Sequence, residues 1–541
     1  MKRKNLFLSL ICSLILTIAL VTVTVLSVLP KKDSDAGKGT PSTNVSDTGN
    51  TGDNTQTKPD VTVNEDRDGS AEKPYVVYDA ETFETFVVGK YLDENGKYID
   101  YSATADDGSL LYPELSAGLY YELGADIDFA GTEFKTLFNQ GIAFNGHIDG
   151  KGFALKNISI NVTKDNLVSD YVYTKNEQMI ANVGVFGELY NAEIKDVKFV
   201  GLEVVCEDGL YEYIWSAGFG DSTLRALSVG SIAGVAYESK ISADVEAVVD
   251  GLAYGVYSDN RVEGECALGG IAGLTVDCEI VDTTVDVQIS ADEGVTYYVG
   301  GVVGAAFDTK MTNVKVDADV QTYAKQALSV AGVVGYARAI EIDTADVKLA
   351  VAGLDENRLD TDAVTQIDSS KYASVAGVVV KVVAKEDAEV SKIANVKVVS
   401  DANIDATMAG VVVEASISDE LADQTAKYFE FKDIIADTNA YVLKAFGFAK
   451  YVENAKIDLA AVKTELIDGV EVDFNIRLTG KASLKKNDSA NVIPVEIFMT
   501  ANLGANYEVV GGKASIKVVA SLDMALSAKN VRGFGSFVTV E

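Results

Sequence analysis

From residue 183 onward the chain repeats a short apolar run punctuated by glycine: VGVFGEL (183–189), VGSIAGV (229–235), LGGIAGL (268–274), VGGVVGA (299–305), VAGVVGY (330–336), VAGVVVK (375–381), MAGVVVE (408–414) and a looser AFGFAKY (445–451). The starts lie 31 to 46 residues apart. After most copies a second run alternates apolar and polar residues, as in Ile194-Lys195-Asp196-Val197-Lys198-Phe199 and Met311-Thr312-Asn313-Val314-Lys315-Val316-Asp317. Alternation of period two marks strands with one buried face. Two short strands alone leave that face bare, so neighbouring units must stack to close a continuous core. Glycine suits such a stack, since it permits tight corners and close backbone approach between successive turns. Uneven spacing then reflects insertions outside the stack, such as 419–427, which reads as a short surface helix. The pattern predicts an all-β fold built as a parallel β-solenoid, and eight units at about 4.8 Å per turn would extend roughly 40 Å.

A solenoid has open ends whose bare strands invite pairing with other chains, so both ends should be covered. Near the start, Asp79 precedes early acids and apolar residues at Phe83, Phe86 and Val87, the pattern of a short amphipathic capping helix with Asp79 as its N-cap. At the far end 470–478 alternates without error and 516–526 nearly does, which predicts a C-terminal β cap or a small β domain.

The chain opens differently. After Met-Lys-Arg-Lys-Asn, residues 6–29 carry no charge, enough for a helix of roughly 36 Å that would span a bilayer. The run ends at Pro30-Lys31-Lys32 rather than at a small-x-small cleavage site, which favours an uncleaved signal anchor over a removed signal peptide, with Ser34-Asp35-Ala36 as the weak cleavage alternative. Ile11 stands where a lipobox needs a small residue ahead of Cys12. Lys2, Arg3 and Lys4 place the N-terminus inside. Residues 33–73 are Ser, Thr, Gly, Asn and Asp with almost no large apolar residue, a composition that cannot offset ordering entropy. They read as a disordered tether that would average roughly 35 Å end to end. The expected organisation is a signal anchor over 1–32, the linker over 33–73, a β-helix body over 74–464 and the C-terminal β part over 465–541.

Charge narrows the partners. The formal balance is -35, and since residues 1–32 hold five basic and no acidic residues, the remainder carries 41 minus 81, or -40. Nucleic acid and anionic membrane faces are therefore poor partners. No cofactor is implied; calcium is the cation such a balance would attract, against the plainer reading of a solvated acidic surface. Three cysteines lie beyond the leader, Cys206, Cys266 and Cys278. An odd count argues against a disulfide framework. Cys266 and Cys278 are close enough in sequence to pair across one turn; three buried thiols acting as small hydrophobes are the alternative.

The stretch from Tyr120-Tyr121-Glu122-Leu123-Gly124-Ala125-Asp126-Ile127-Asp128-Phe129 to Phe144-Asn145-Gly146-His147-Ile148-Asp149-Gly150-Lys151-Gly152-Phe153-Ala154-Leu155-Lys156-Asn157-Ile158 resembles the opening turns of bacterial surface β-helix proteins, departing in Leu155 where that pattern has Ile. The following units resemble the GLUG motif of the same proteins, G-G-L-V-G followed by an I-x-N strand. The copy at Val299 keeps both halves with Asn313, the copy at Val375 keeps Asn395 but lacks the last glycine, and elsewhere Asp stands for Asn, as at Asp196. The resemblance covers roughly 74–350 well and 350–460 loosely. It implies a right-handed parallel β-helix with an adhesin-like surface role, and brings neither a defined ligand nor catalytic residues.

Candidate chemistry is sparse. His147 is the sole histidine, which excludes H-E-x-x-H zinc sites and leaves one base for any Ser-His or Cys-His device; a turn or surface residue is the plainer reading. No G-x-S-x-G, P-loop or C-x-x-C occurs. A polysaccharide lyase or hydrolase would use carboxylates, and Asp126 with Asp128, or Asp106 with Asp107, are available, although the resemblance already accounts for the first pair as structural. Tyr211, Tyr213 and Trp215 alternate along one run and would share a strand face. They are the predicted ligand-binding platform, for a glycan or a host matrix protein; packing under a loop is the rival. The expectation is a non-catalytic surface adhesin displayed outside the cytoplasmic membrane, with a polysaccharide-degrading enzyme and a passive structural rod as alternatives.

Overall fold

The computed structural model describes residues 61–175, 178–207, 210, 224–251, 254–255, 267–291, 298–322, 328–353, 373–384, 390–404, 406–418, 421, 426–441, 444–458, 462–466, 470–476, 478–482, 497–503, 508–509, 514–518, 531–532 and 538–540. The expected membrane-spanning segment 6–29, most of the tether and the insertion 419–427, apart from 421, 426 and 427, lie outside them. Among the described residues no helix is long and apolar enough to cross a membrane. Residues 64–73, expected to belong to the linker, are joined to the body: the Asn64 side-chain amide donates to Val76 O at 2.9 Å and accepts from Val76 N at 2.8 Å, and Arg67 donates to Pro74 O.

The stacked β architecture holds. From residue 178 to 441 each turn contributes one long strand to one sheet and two short strands to a second. In the turn around residue 300 the short strands are Tyr298–Gly300 and Val303–Phe307 and the long one is Lys310–Thr322; the next turn repeats this as Ser329–Ala331, Val334–Arg338 and Glu341–Gly353. Each of these strands pairs in parallel with its counterpart, Lys310 beside Glu341, Tyr298 beside Ser329, Val303 beside Val334. Along Lys310–Thr322 the residues Met311, Val314, Val316, Ala318 and Val320 are buried while Lys310, Lys315, Asp317 and Asp319 face solvent. The buried set of all turns merges into one continuous core.

The alternation is broken at one matching place in six of the long strands, Lys240–Gly251 alternating without a break. Met311 and Val314 are buried with two exposed residues between them because Asn313 takes a left-handed backbone, φ 56°. Asp196, Asp282, Thr344, Asn395 and Asp433 do the same in their turns. A second left-handed column, Asn191, Glu238, Asp277, Asp308, Ala339 and Asn454, makes the corner between the second short strand and the long one. Asn and Asp tolerate this conformation better than other side chains because their short polar group bonds locally. Those two corners, which the apolar-glycine pattern did not reveal, turn the chain without glycine.

The glycines serve close approach instead. The last glycine of a unit lies against the first short strand of the turn before it: a Cβ on Gly304 would sit 2.6 Å from Leu268 N, and one on Gly273 2.8 Å from Val229 N. The glycine at the bend between the short strands meets its own copy in the next turn, so that a Cβ on Gly301 would land on Gly332 O and one on Gly332 on Gly377 O. Where the last glycine is lost, Val380 and Val413 fill the space and pack with Ala331, Ala376 and Ala409 in a small separate cluster. On the outer side of the short strands Ala267, Ala305, Phe307, Tyr336 and Val383 form another cluster, so this sheet is apolar on both faces, as parallel sheets commonly are.

The expected cap is present in altered form. Asp79 accepts from Thr82 N at 2.8 Å and heads the helical turn Ala80–Thr82, which widens into the π turn Phe83–Val88 and closes as the 3-10 turn Gly89–Tyr91. Phe83, Val87, Val88 and Tyr91 are buried, and Phe86 stacks on Tyr75 at 4.8 Å. Tyr75 belongs to the first strand, Tyr75–Val77, which pairs with Tyr120–Leu123 and has no other partner strand among the described residues. At the other end, Val470–Ile476 pairs antiparallel with Val462–Leu466 and Ala514–Val518, while Leu478–Ala482 and Ile497–Leu503 continue the two sheets in parallel. The C-terminal part therefore joins the stack and departs from its parallel order.

Candidate binding surface

Tyr211, Tyr213 and Trp215, the predicted platform, lie outside the described residues. What the structure does lay out is the solvent face of the long-strand sheet. Its first column runs Glu193, Lys240, Glu279, Lys310, Glu341, Lys392, Glu430, Lys456, each residue in register with the next. The sign of charge alternates at every rung. Lys240 reaches Glu279 at 3.6 Å, Lys310 reaches Glu341 at 3.8 Å and Lys392 reaches Glu341 at 3.5 Å.

His147 stands at the head of this column. It is not in a turn as expected but opens the strand His147–Asp149, between Tyr120 and Glu193. Its ring stacks on Tyr120 at 4.3 Å, and Nδ1 lies 3.8 Å from a Glu193 carboxylate oxygen. Burial holds its pKa below the usual histidine value, with Glu193 pulling the other way. No nucleophile stands against it in these contacts.

Further columns carry polar ladders of the same kind. Asn313 donates to Asp282 at 2.7 Å, Asn395 to Asp343 at 2.7 Å and Asn157 to Asp128 at 2.8 Å. Lys348 pairs with Asp317 at 2.9 Å and Lys392 with Asp343 at 3.0 Å. Asp126 and Asp128, the paired carboxylates of the enzyme reading, are tied in similarly: Asp126 accepts from Lys156 at 2.6 Å and from Ala154 N, Asp128 from Asn157 and Ala130 N. The Lys156 bond lowers the Asp126 pKa and the Asn157 bond that of Asp128. Two carboxyls both held ionised do not divide into an acid and a base. Asp107 closes a local turn with Ser109.

One group was missed by sequence reasoning. Glu188 is 3% exposed, and burial pushes its pKa up to about 7. The Tyr173 hydroxyl donates to it, and the Asn182 amide donates to Tyr173 Oη at 2.9 Å and to Glu188 Oε1 at 3.2 Å. Residue types along the repeat do not single it out: Glu188 pairs with Val235, and the same position in later turns holds Leu274, Ala305, Tyr336, Lys381 and Glu414. Lys381 and Glu414 are partly exposed and pair with each other at 3.5 Å, whereas Glu188 is buried, a difference that only the packing makes.

Of the cysteines, Cys206 and Cys278 are buried, and Cys266 lies outside the described residues. Cys278 occupies a corner column shared with Ser239 and Thr309, donating to Val276 O as Thr309 does to Phe307 O. Burial pushes its thiol pKa up to about 11, which keeps it protonated and unreactive. No group of three His, Cys, Asp or Glu arranged to hold a metal occurs among the described residues.

No protein-family model matches the chain, and no curated protein does. Among solved structures, it is similar to a proposed immunoglobulin A1 protease from Bacteroides ovatus at 17% identity and a TM-score of 0.30, over 58% of this chain and 86% of that one. A likeness of that size ties nothing of that protein's activity to this chain.

Proposed function

We infer that the chain is a non-catalytic binding protein of the cell surface, an adhesin-like body carried on a right-handed parallel β-helix. The observation that carries this reading is the long-strand face, where carboxylate after carboxylate is engaged by Lys or Asn in stacked ladders rather than poised as an acid and base pair. Right-handed winding is the expected hand for parallel strands joined by crossovers in one sheet. The likeness to GLUG-motif surface proteins gains support from Asn313 and Asn395, which occupy one structural position, and from glycines placed where only close backbone approach explains them. The leader 6–29 would anchor the body to the cytoplasmic membrane, and the tether would hold it away from the bilayer. The partner class is a glycan or matrix protein, with calcium as the cation to include, and Tyr211, Tyr213 and Trp215 remain the residues to alter first.

The test has two stages. Protease added to intact cells should release the body; a body left untouched means that surface display is wrong. A screen of the released body against glycans and matrix proteins, with and without calcium, should then find a ligand whose binding falls when Tyr211, Tyr213 and Trp215 are changed to Ala together. Turnover of a polysaccharide would replace this reading with the enzyme, and absence of any binding with the passive rod.

A further inference from the structure

We propose that the alternating charge column is a lock on the turn register, so that the stack accepts gain or loss of turns in pairs and rejects single turns or a one-turn slip. The column keeps its alternation over eight rungs, from Glu193 to Lys456. It does so although the segments between the rungs differ in length, from 26 residues between Glu430 and Lys456 to 51 between Glu341 and Lys392. The core contacts nearest the column do not supply that information. The buried column beside it, Ile194, Ile241, Ile280, Met311, Ile342 and Ile393, is nearly uniform, and a strand moved by a whole turn meets the same apolar partner. The charges differ. Neighbouring rungs in a parallel sheet lie about 4.8 Å apart, so a shift of one turn sets like charges side by side, and a shift of two restores opposite ones.

The arrangement acts as a column rather than as isolated pairs. Glu341 lies within 4 Å of both neighbours, Lys310 at 3.8 Å and Lys392 at 3.5 Å. Exposed pairs taken singly contribute little, whereas charges in a network contribute more. Exposure also makes the device sensitive to salt, because the Debye length falls to about 3 Å at 1 M ionic strength.

The test uses the full chain and thermal unfolding at low salt. Removing residues 310–340 takes out one turn and sets Glu279 beside Glu341, and removing 279–340 takes out two and sets Lys240 beside Glu341. Glu341→Gln should lower the unfolding midpoint of the intact chain and of the two-turn deletion by a few degrees. In the one-turn deletion it should leave the midpoint unchanged or raise it. An equal lowering in all three chains overturns the proposal. A second arm needs no deletion: exchanging one pair, Lys310→Glu with Glu341→Lys, keeps that pair opposite in sign but sets a second carboxylate beside Glu279 and a second ammonium beside Lys392. The exchange should lower the midpoint at low salt, with the loss shrinking in 1 M salt. A neutral exchange would show the pairs to be independent and the lock absent.

Discussion

Thr344 holds a left-handed backbone, φ 64°, at a position that Asp282, Asn313 and Asn395 occupy in their turns. For a β-branched residue that conformation is strained, typically by about 1 kcal/mol or more. Thr344→Asn should therefore stabilise the protein by about 1 kcal/mol, seen as a higher urea midpoint with an unchanged slope. Glu188 shows the opposite kind of cost. Its pKa rises from 4.5 to about 7 on folding, so between those values the folded state holds a proton that the unfolded state has released. By linkage, stability falls as pH rises through that window and levels off above it, by roughly 3 kcal/mol in all. Glu188→Gln should flatten this slope in urea titrations run from pH 4 to 8, and a slope left intact would assign it to another group.

At the scale of the element, the short strands depend on backbone contact. Gly304→Ala places a methyl 2.6 Å from Leu268 N and 2.8 Å from Gly273 O, where rigid backbone on both sides cannot yield cheaply. A loss of about 1–3 kcal/mol is expected in denaturant unfolding. Two natural copies carry a larger side chain, Val380 and Val413, in turns where Ala331 and Ala376 also replace the glycines of the Gly269–Gly300 column, and valines and alanines pack together there. The cap is the other element open to test. Val87 is 1% exposed beneath the π turn, and the outer edge of the first strand, Tyr75–Val77, is covered by the Asn64 side chain, which bonds both Val76 N and Val76 O. Val87→Asp should loosen the cap and, by baring that edge, cause concentration-dependent association in light scattering before the core unfolds.

For the whole molecule, the stack and its repeat were legible in the sequence because period-two burial and glycine at fixed places are properties of single units. The Asp79 cap could be read for the same reason, being a local hydrogen-bond pattern within four residues. Neither left-handed column was read, although Asn and Asp recur at both; a conformation shared across turns shows only when the turns are laid in register. The alternating charge column was hidden more completely. Its members are separated by 26 to 51 residues of variable chain, and nothing local distinguishes Lys310 from any other solvated lysine. His147 reads from the sequence as a turn or surface residue, whereas pairing with Tyr120 and Glu193 makes it a part-buried strand residue.

By itself the sequence determined that this chain is β, repetitive and acidic, since hydrophobic period and glycine placement act through neighbours along the chain. Tertiary structure alone decided which residues share a column. The ladders, the paired fate of Asp126 and Asp128 and the raised pKa of Glu188 all follow from burial and charge set beside one another across turns, at distances that sequence separation does not encode.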